Sequence, residues 1–180
     1  MQRKKPPQDH TSGAAVPASM TLRVIGHVRS PYKERFGTPR QATVTRQTLG
    51  DTAQAASLEL LPEFTPALKD LAGFEYIWAL CWLHLNEHWK PQVVPPRGPK
   101  VARGLFATRA PHRPNPIGLS ALQVISVKGR VIHVHGIDFL DGTPVLDIKP
   151  YVPYADAFPD ARAGWLDEIP DAPNGPDRWQ

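Results

Sequence analysis

The chain has a single cysteine, Cys81, and it lies inside an apolar run. A disulfide framework and a zinc site of paired thiolates are both excluded, which leaves a buried, inert thiol as the expectation. No apolar run reaches the ~20 residues that span a bilayer as a helix, and no apolar stretch near the N-terminus resembles a signal peptide. A cytoplasmic protein without membrane contact is expected. No two glycines are separated by one residue, so the GxGxxG dinucleotide fingerprint is missing, as are the P-loop GxxxxGK[ST] and the GxSxG nucleophile elbow. Rossmann-type cofactor binding is therefore disfavoured. Acids are also missing where bases gather: there is no Asp or Glu between Glu87 and Asp138, whereas Lys90, Arg97, Lys100, Arg103, Arg109, Arg113, Lys128 and Arg130 all fall there. Such a block suits an anion or nucleic acid, and equally a solvated face.

What the chain does have is proline, 21 residues of it in a length of 180, enough for one domain with a sizeable core but unfavourable to long helices. The net charge of +4 is uneven, with +2 over residues 1–20, +6 over 21–155 and −4 over 156–180. Residues 1–20 are poor in large apolar groups and read as a disordered extension. A folded domain is expected over 21–160, followed by an acidic, proline-rich tail over 161–180 packed on the surface. Within the domain, Thr21 to Arg29 alternates like a half-buried strand, and residues 42–61 hold one or two short strands. Thr65 to Leu71 suits a short helix with Thr65 as N-cap, Pro66 in the first position and Gly73 as stop. The aromatic run Phe74 to Leu85 reads as a central strand buried on both faces, with a buried helix as the alternative. Val101 to Thr108 and Leu119 to Val127 read as strands, as do Val131 to Asp138 and Pro144 to Tyr151, joined by turns at Lys128-Gly129-Arg130 and Asp141-Gly142. Regular strand spacing with few helices makes the fold class mainly β, a small antiparallel or mixed barrel.

Metal binding is weakly indicated. His84 and His88 are four apart without an HExxH motif, and His133 and His135 share a strand face without an evident third ligand, so solvent-facing histidines are expected. The densest chemistry lies in Phe106 to Ser120 (FATRAPHRPNPIGLS), where Pro111, Pro114 and Pro116 stiffen a loop that carries Arg109, His112, Arg113 and Asn115. Two other polar loops accompany it, one at Arg40-Gln41 and one from Asp141 to Tyr151. In the latter, Asp147 stands between Leu146 and Ile148 and reads either as an acid awaiting a cationic partner or as a turn cap.

Together the segments Arg29 to Phe36 (RSPYKERF) with Pro39-Arg40-Gln41, Phe106 to Arg109 with Arg113 to Ser120 (RPNPIGLS), and Asp141 to Tyr151 (DGTPVLDIKPY) resemble the TsaA-like (TrmO) family. The resemblance runs from about Leu22 to Pro159. It implies an S-adenosylmethionine-dependent tRNA adenine-N6 methyltransferase on a small β-barrel, usually a homodimer, that methylates threonylcarbamoyladenosine just 3′ of the anticodon. Cofactor contacts implied by the resemblance fall on Arg40, Gln41, Ala42, Leu83, His84, Arg109, Leu119, Leu146, Asp147, Ile148 and Lys149. In this picture Arg40 or Arg109 pairs with the methionine carboxylate, and Leu83, Leu119 and Ile148 sandwich the adenine. Asp147, Tyr151 and His112 are candidates to take the N6 proton, although the family pattern has no histidine at the position of His112. Arg113, Asn115, Lys100 and Arg103 are expected at the tRNA. Longer family members carry a further domain after the barrel, which leaves as alternatives a methyltransferase for a small molecule or another nucleic acid, and a barrel that binds S-adenosylmethionine or RNA without turnover.

Overall fold

The computed structural model describes residues 17–34, 56–96 and 98–169. Among these, six strands close into an all-antiparallel barrel: β1 (Gly26–Arg29), β2 (Ala56–Leu60), β3 (Tyr76–Trp82), β6 (Ile117–Lys128), β7 (Val131–His135) and β8 (Pro144–Pro150), in the order β1-β2-β7-β6-β3-β8. Closure removes the sheet edges that would otherwise be left unpaired. A separate two-stranded ribbon, β4 (Gln92–Val93) and β5 (Arg103–Gly104), holds the proline-rich connection.

The barrel interior is filled by alternate residues of each strand, among them Val28, Leu58, Ile77, Leu122, Ile132 and Val145, all fully buried. Cys81 is buried with them, and burial first, then the charge of Asp138, pushes its thiol far above the usual range. Two glycines are required by close approach. A Cβ on Gly26 would lie 2.5 Å from the Glu59 carbonyl oxygen and 2.8 Å from Leu60 Cα, while one on Gly118 would strike the Phe139 ring at 2.6 Å. Turn chemistry is as the sequence predicts at the β6–β7 hairpin, where Gly129 has φ +57°, and after Asp141, where Gly142 has φ +76°.

Three local expectations differ. The helix near Thr65 is a 3-10 helix that starts earlier, at Pro62–Leu68, and the Thr65 hydroxyl donates to the Pro62 carbonyl at 2.8 Å rather than capping. Pro66 lies inside it and can donate no N–H to a helical ladder, which works against extension into a longer regular helix. Val101 to Thr108 forms only the two residues of β5 and a 3-10 turn, Leu105–Ala107. β3 is buried on one face alone: Ile77, Ala79 and Cys81 point inward, whereas Tyr76, Trp78, Leu80 and Trp82 look out. His133 and His135 are half-buried, on the barrel's outer face, and the Nδ1 of His135 lacks a hydrogen-bond partner among the described residues. Within the expected tail, Trp165 and Ile169 pack back on the connection: the Trp165 indole N–H donates to the Ala107 carbonyl at 2.8 Å, and Ile169 is buried beside Gly98.

Two outcomes follow. Gly26→Ala lowers stability by about 1–3 kcal/mol or more in urea unfolding, because backbone rather than a pliable side chain blocks the methyl, whereas Gly104→Ala, with open space around it, stays close to wild type. Cys81 is unreactive to a thiol reagent in the native protein and titrates as one thiol after denaturation; rapid native labelling would contradict its place in the barrel.

Candidate active site

β3 is hydrogen-bonded along both edges, to β6 and to β8, and that register decides which motif residues meet. Opposed residues of antiparallel strands point to one face. Leu80 is opposite Leu119 on one side and Asp147 on the other, giving an outward row Leu119–Leu80–Asp147. Next to it lies Ala121–Trp78–Lys149, and beyond that Tyr76 pairs with Gln123 and accepts the Tyr151 N–H at 3.0 Å. Two motifs distant in sequence thus meet on the outer wall of the barrel across the aromatic strand.

A β-bulge makes this possible. The register shifts between Leu80 and Cys81: Cys81 is opposite Val145, and Leu80 is opposite Asp147, so Leu146 is the extra residue. Val145 and Ile148 both face the core although three residues apart, and Asp147 and Lys149 both face out. Asp147 is then held in one orientation. Its Oδ1 accepts the Ile148 N–H at 2.9 Å, and its Oδ2 is 2.7 Å from Lys149 Nζ. Of the two readings open from sequence, an acid awaiting a cationic partner and a turn cap, each has a counterpart here, in Lys149 and in the backbone N–H of Ile148.

The remaining predicted residues are distributed as follows. Leu83, just past β3, donates its N–H to the Pro116 carbonyl at 2.7 Å and packs on the core; His84 is exposed, with its ring edge-on to Trp82 at 6.2 Å. Leu119 is 56% exposed, and Arg109 lies exposed in the loop leading into β6. Ile148 faces inward opposite Ala79, so its side chain cannot close on the same ring as Leu119; only its backbone borders the outer wall. Tyr151 packs against Trp78 at 5.3 Å and Tyr76 at 6.2 Å between ring centroids. On the strand spacing it is roughly 13 Å along β8 from Asp147. His112 Nδ1 lies 3.2 Å from the His88 carbonyl. Arg113 donates into the loop itself, to the carbonyls of Thr108 at 3.0 Å and Ala110 at 3.4 Å. Arg103 stacks on the Trp165 ring at 5.2 Å, while Lys100 and Asn115 are exposed. Arg40, Gln41 and Ala42 lie outside the described residues.

Sequence reading missed Trp78, Leu80 and Trp82 as a wall, because an aromatic run without polar alternation reads as fully buried. It also missed Asp156, whose carboxylate accepts the Trp78 indole N–H at 3.0 Å and the Val152 N–H at 2.8 Å. That pair ties the short helix α1 (Pro153–Asp156) to the outer face of β3. Among the described residues no group of three or more metal-ligating side chains occurs.

Residues 27–157 match the family model described as the tRNA-methyltransferase O N-terminal domain. A relative named probable S-adenosyl-L-methionine-binding protein, from Archaeoglobus fulgidus, is 41% identical over 147 residues, 82% of this chain and 38% of the relative. The tRNA (adenine(37)-N6)-methyltransferase of Escherichia coli K12 is 40% identical over 164 residues, 86% of this chain and 67% of that enzyme. The crystal structure of TrmO from Pseudomonas aeruginosa superposes with a TM-score of 0.68 at 41% identity, covering 84% of this chain and 65% of that one. The chain thus spans between about a third and two thirds of the length of these three proteins. It belongs to the tRNA-methyltransferase O family, whose N-terminal domain its barrel represents.

Proposed function

We propose that this protein is an S-adenosylmethionine-dependent methyltransferase that modifies N6 of adenine 37 in tRNA, threonylcarbamoylated in its natural form. The observation that carries the reading is the row Leu119–Leu80–Asp147, which assembles one outward site from motifs far apart in the chain. Relatives named for S-adenosylmethionine binding and for tRNA methylation support it.

The residues present fit the cofactor. An apolar strip of Leu80, Leu119 and Trp78 suits an adenine face, and the bulge at Leu146 interrupts the ladder where backbone groups can read an edge. Arg109 supplies a guanidinium for the amino-acid carboxylate. When bound, the cofactor supplies an activated methyl group on a sulfonium. The task left to the chain is alignment and exclusion of water. Asp147, fixed through Ile148 and Lys149, is positioned to accept the proton released from N6. Tyr151, wedged between Trp78 and Tyr76, borders the same face as a wall. The exposed cations Lys90, Lys100 and Lys128 provide phosphate contacts.

An outer wall of a barrel is convex and shields little by itself. Trp82, Leu85 and Leu119 lie 45–66% exposed on and beside it, an apolar surface that a second copy of the chain would cover. A cytoplasmic homodimer follows as part of the proposal, and no described helix is long and apolar enough to cross a membrane.

Incubating the protein with S-adenosylmethionine and threonylcarbamoylated tRNA, then analysing nucleosides by mass spectrometry, should show one added methyl group on the modified adenosine. Cofactor binding without methylation of any tRNA would overturn the substrate assignment. Arg109→Ala should weaken cofactor binding about 10- to 150-fold by calorimetry, the equivalent of roughly 1.5–3 kcal/mol for a lost charge-assisted bond. Asp147→Asn should lower kcat by about 10²- to 10⁴-fold while the unfolding midpoint stays near wild type. Affinity for tRNA should fall more than about tenfold between 50 and 200 mM salt if three or more phosphates are contacted. A flat salt response would argue for a small acceptor.

A further inference from the structure

Phe106 is 79% exposed, yet it does not sit on a loose segment. It lies in the 3-10 turn Leu105–Ala107, anchored by Leu105, which is 2% exposed. The Leu105 carbonyl accepts the Thr108 N–H at 3.1 Å and the Thr108 hydroxyl at 2.8 Å, with Arg113 Nη1 at 3.5 Å. The same Arg113 nitrogen reaches the carbonyls of Thr108 and Ala110, and the Ala107 carbonyl is taken by Trp165. Three peptide oxygens therefore converge on one guanidinium, whose central carbon stands 5.5 Å from the centre of the Phe106 ring. A large apolar ring is held out to solvent on a locked turn, with a cation over one face.

Such an arrangement recognises a flat π system joined to anionic charge. Aromatic rings beside a basic track take up unpaired bases, and stacking on them is tolerant of sequence. The surrounding sequence fits nucleic acid, since no acid occurs between Glu87 and Asp138 and Arg109 is three residues away. The loop that carries the platform runs on into β6: three residues after Arg113 comes Pro116, whose carbonyl accepts the Leu83 N–H, and then Leu119 of the outward row. We propose that Phe106, with Arg113 as the positioning residue that fixes its turn, stacks against an unpaired base of the tRNA anticodon loop beside the adenine to be methylated. The inference rests on the tRNA reading above.

The test uses the full chain and an anticodon stem–loop RNA with adenine 37, binding being followed by fluorescence anisotropy. Phe106→Ala and Phe106→Leu should each raise Kd about 5- to 150-fold, the equivalent of ~1–3 kcal/mol for a base–aromatic stack, whereas Phe106→Trp should bind at least as tightly as wild type. Affinity for S-adenosylmethionine should be the same in all four proteins. If Phe106→Leu binds RNA as well as wild type, the ring contributes area only and the platform is overturned. A loss of RNA binding accompanied by a change of oligomeric state overturns it too, in favour of a contact between subunits. Failure of the underlying reading looks different, because the wild type itself would then neither bind nor methylate the stem–loop, and the platform would fall with it.

Discussion

The candidate site depends on one arrangement, the hydrogen bonding of β3 along both its edges. A strand paired on one side would bring two motifs together at most as neighbours in a hairpin. Paired to β6 and β8 at once, β3 carries the end of the RPNPIGLS segment on one flank and VLDIKP on the other, at a spacing set by the ladder rather than by loop conformation. The interior bears the cost of holding this register: Ile77, Ala79 and Cys81 are fully buried beneath the outward row. Large-to-small changes there would loosen the outer wall as well as the core.

The outer surface of the barrel is divided in character. Over β3 and the start of β6 it is apolar and aromatic, with Trp78, Leu80, Trp82 and Leu119, bordered on β8 by the Asp147–Lys149 pair. Over β1, β2 and β7 it is polar, and Glu59 links Arg29 on β1 with Arg130 from the hairpin turn. Hydrogen bonding from Arg29, then the charge of Arg130, holds the Glu59 carboxyl below the ordinary carboxylate range. This exposed network is worth little in stability but suits a surface meant to remain in water. Asymmetry of this kind around a closed barrel marks the apolar sector as the one that meets another molecule.

Much of this is legible in the sequence. Barrel class, the β6–β7 hairpin and the turn at Gly142 follow from glycine placement and alternation, which are local properties. Orientation was harder. The run YIWALCW gives no polar residue to mark its outward positions, so one-sided burial could not be told from two-sided burial. Ile148 stands among the expected cofactor contacts because family resemblance transfers positions, not directions; strand alternation turns its side chain to the face opposite that of Asp147. Arg113 and Arg103 look like anion-binding groups in a basic block, whereas their guanidinium groups are engaged by peptide carbonyls and by Trp165. Composition counts charges without saying which of them the fold has already engaged.

The bulge carries a further consequence, for the phase of the strand. Side chains alternate with a period of two, so in an unbroken ladder of this length Val145 and Asp147 would share a face. The extra residue Leu146 breaks that phase, and Val145 stays in the core while Asp147 and Lys149 point out. A register that slid by one residue to take Leu146 into the ladder would either turn Asp147 and Lys149 into the barrel as two unwelcome charges or eject Val145. The one residue left out of the pairing is thus the one that decides which way the acid faces.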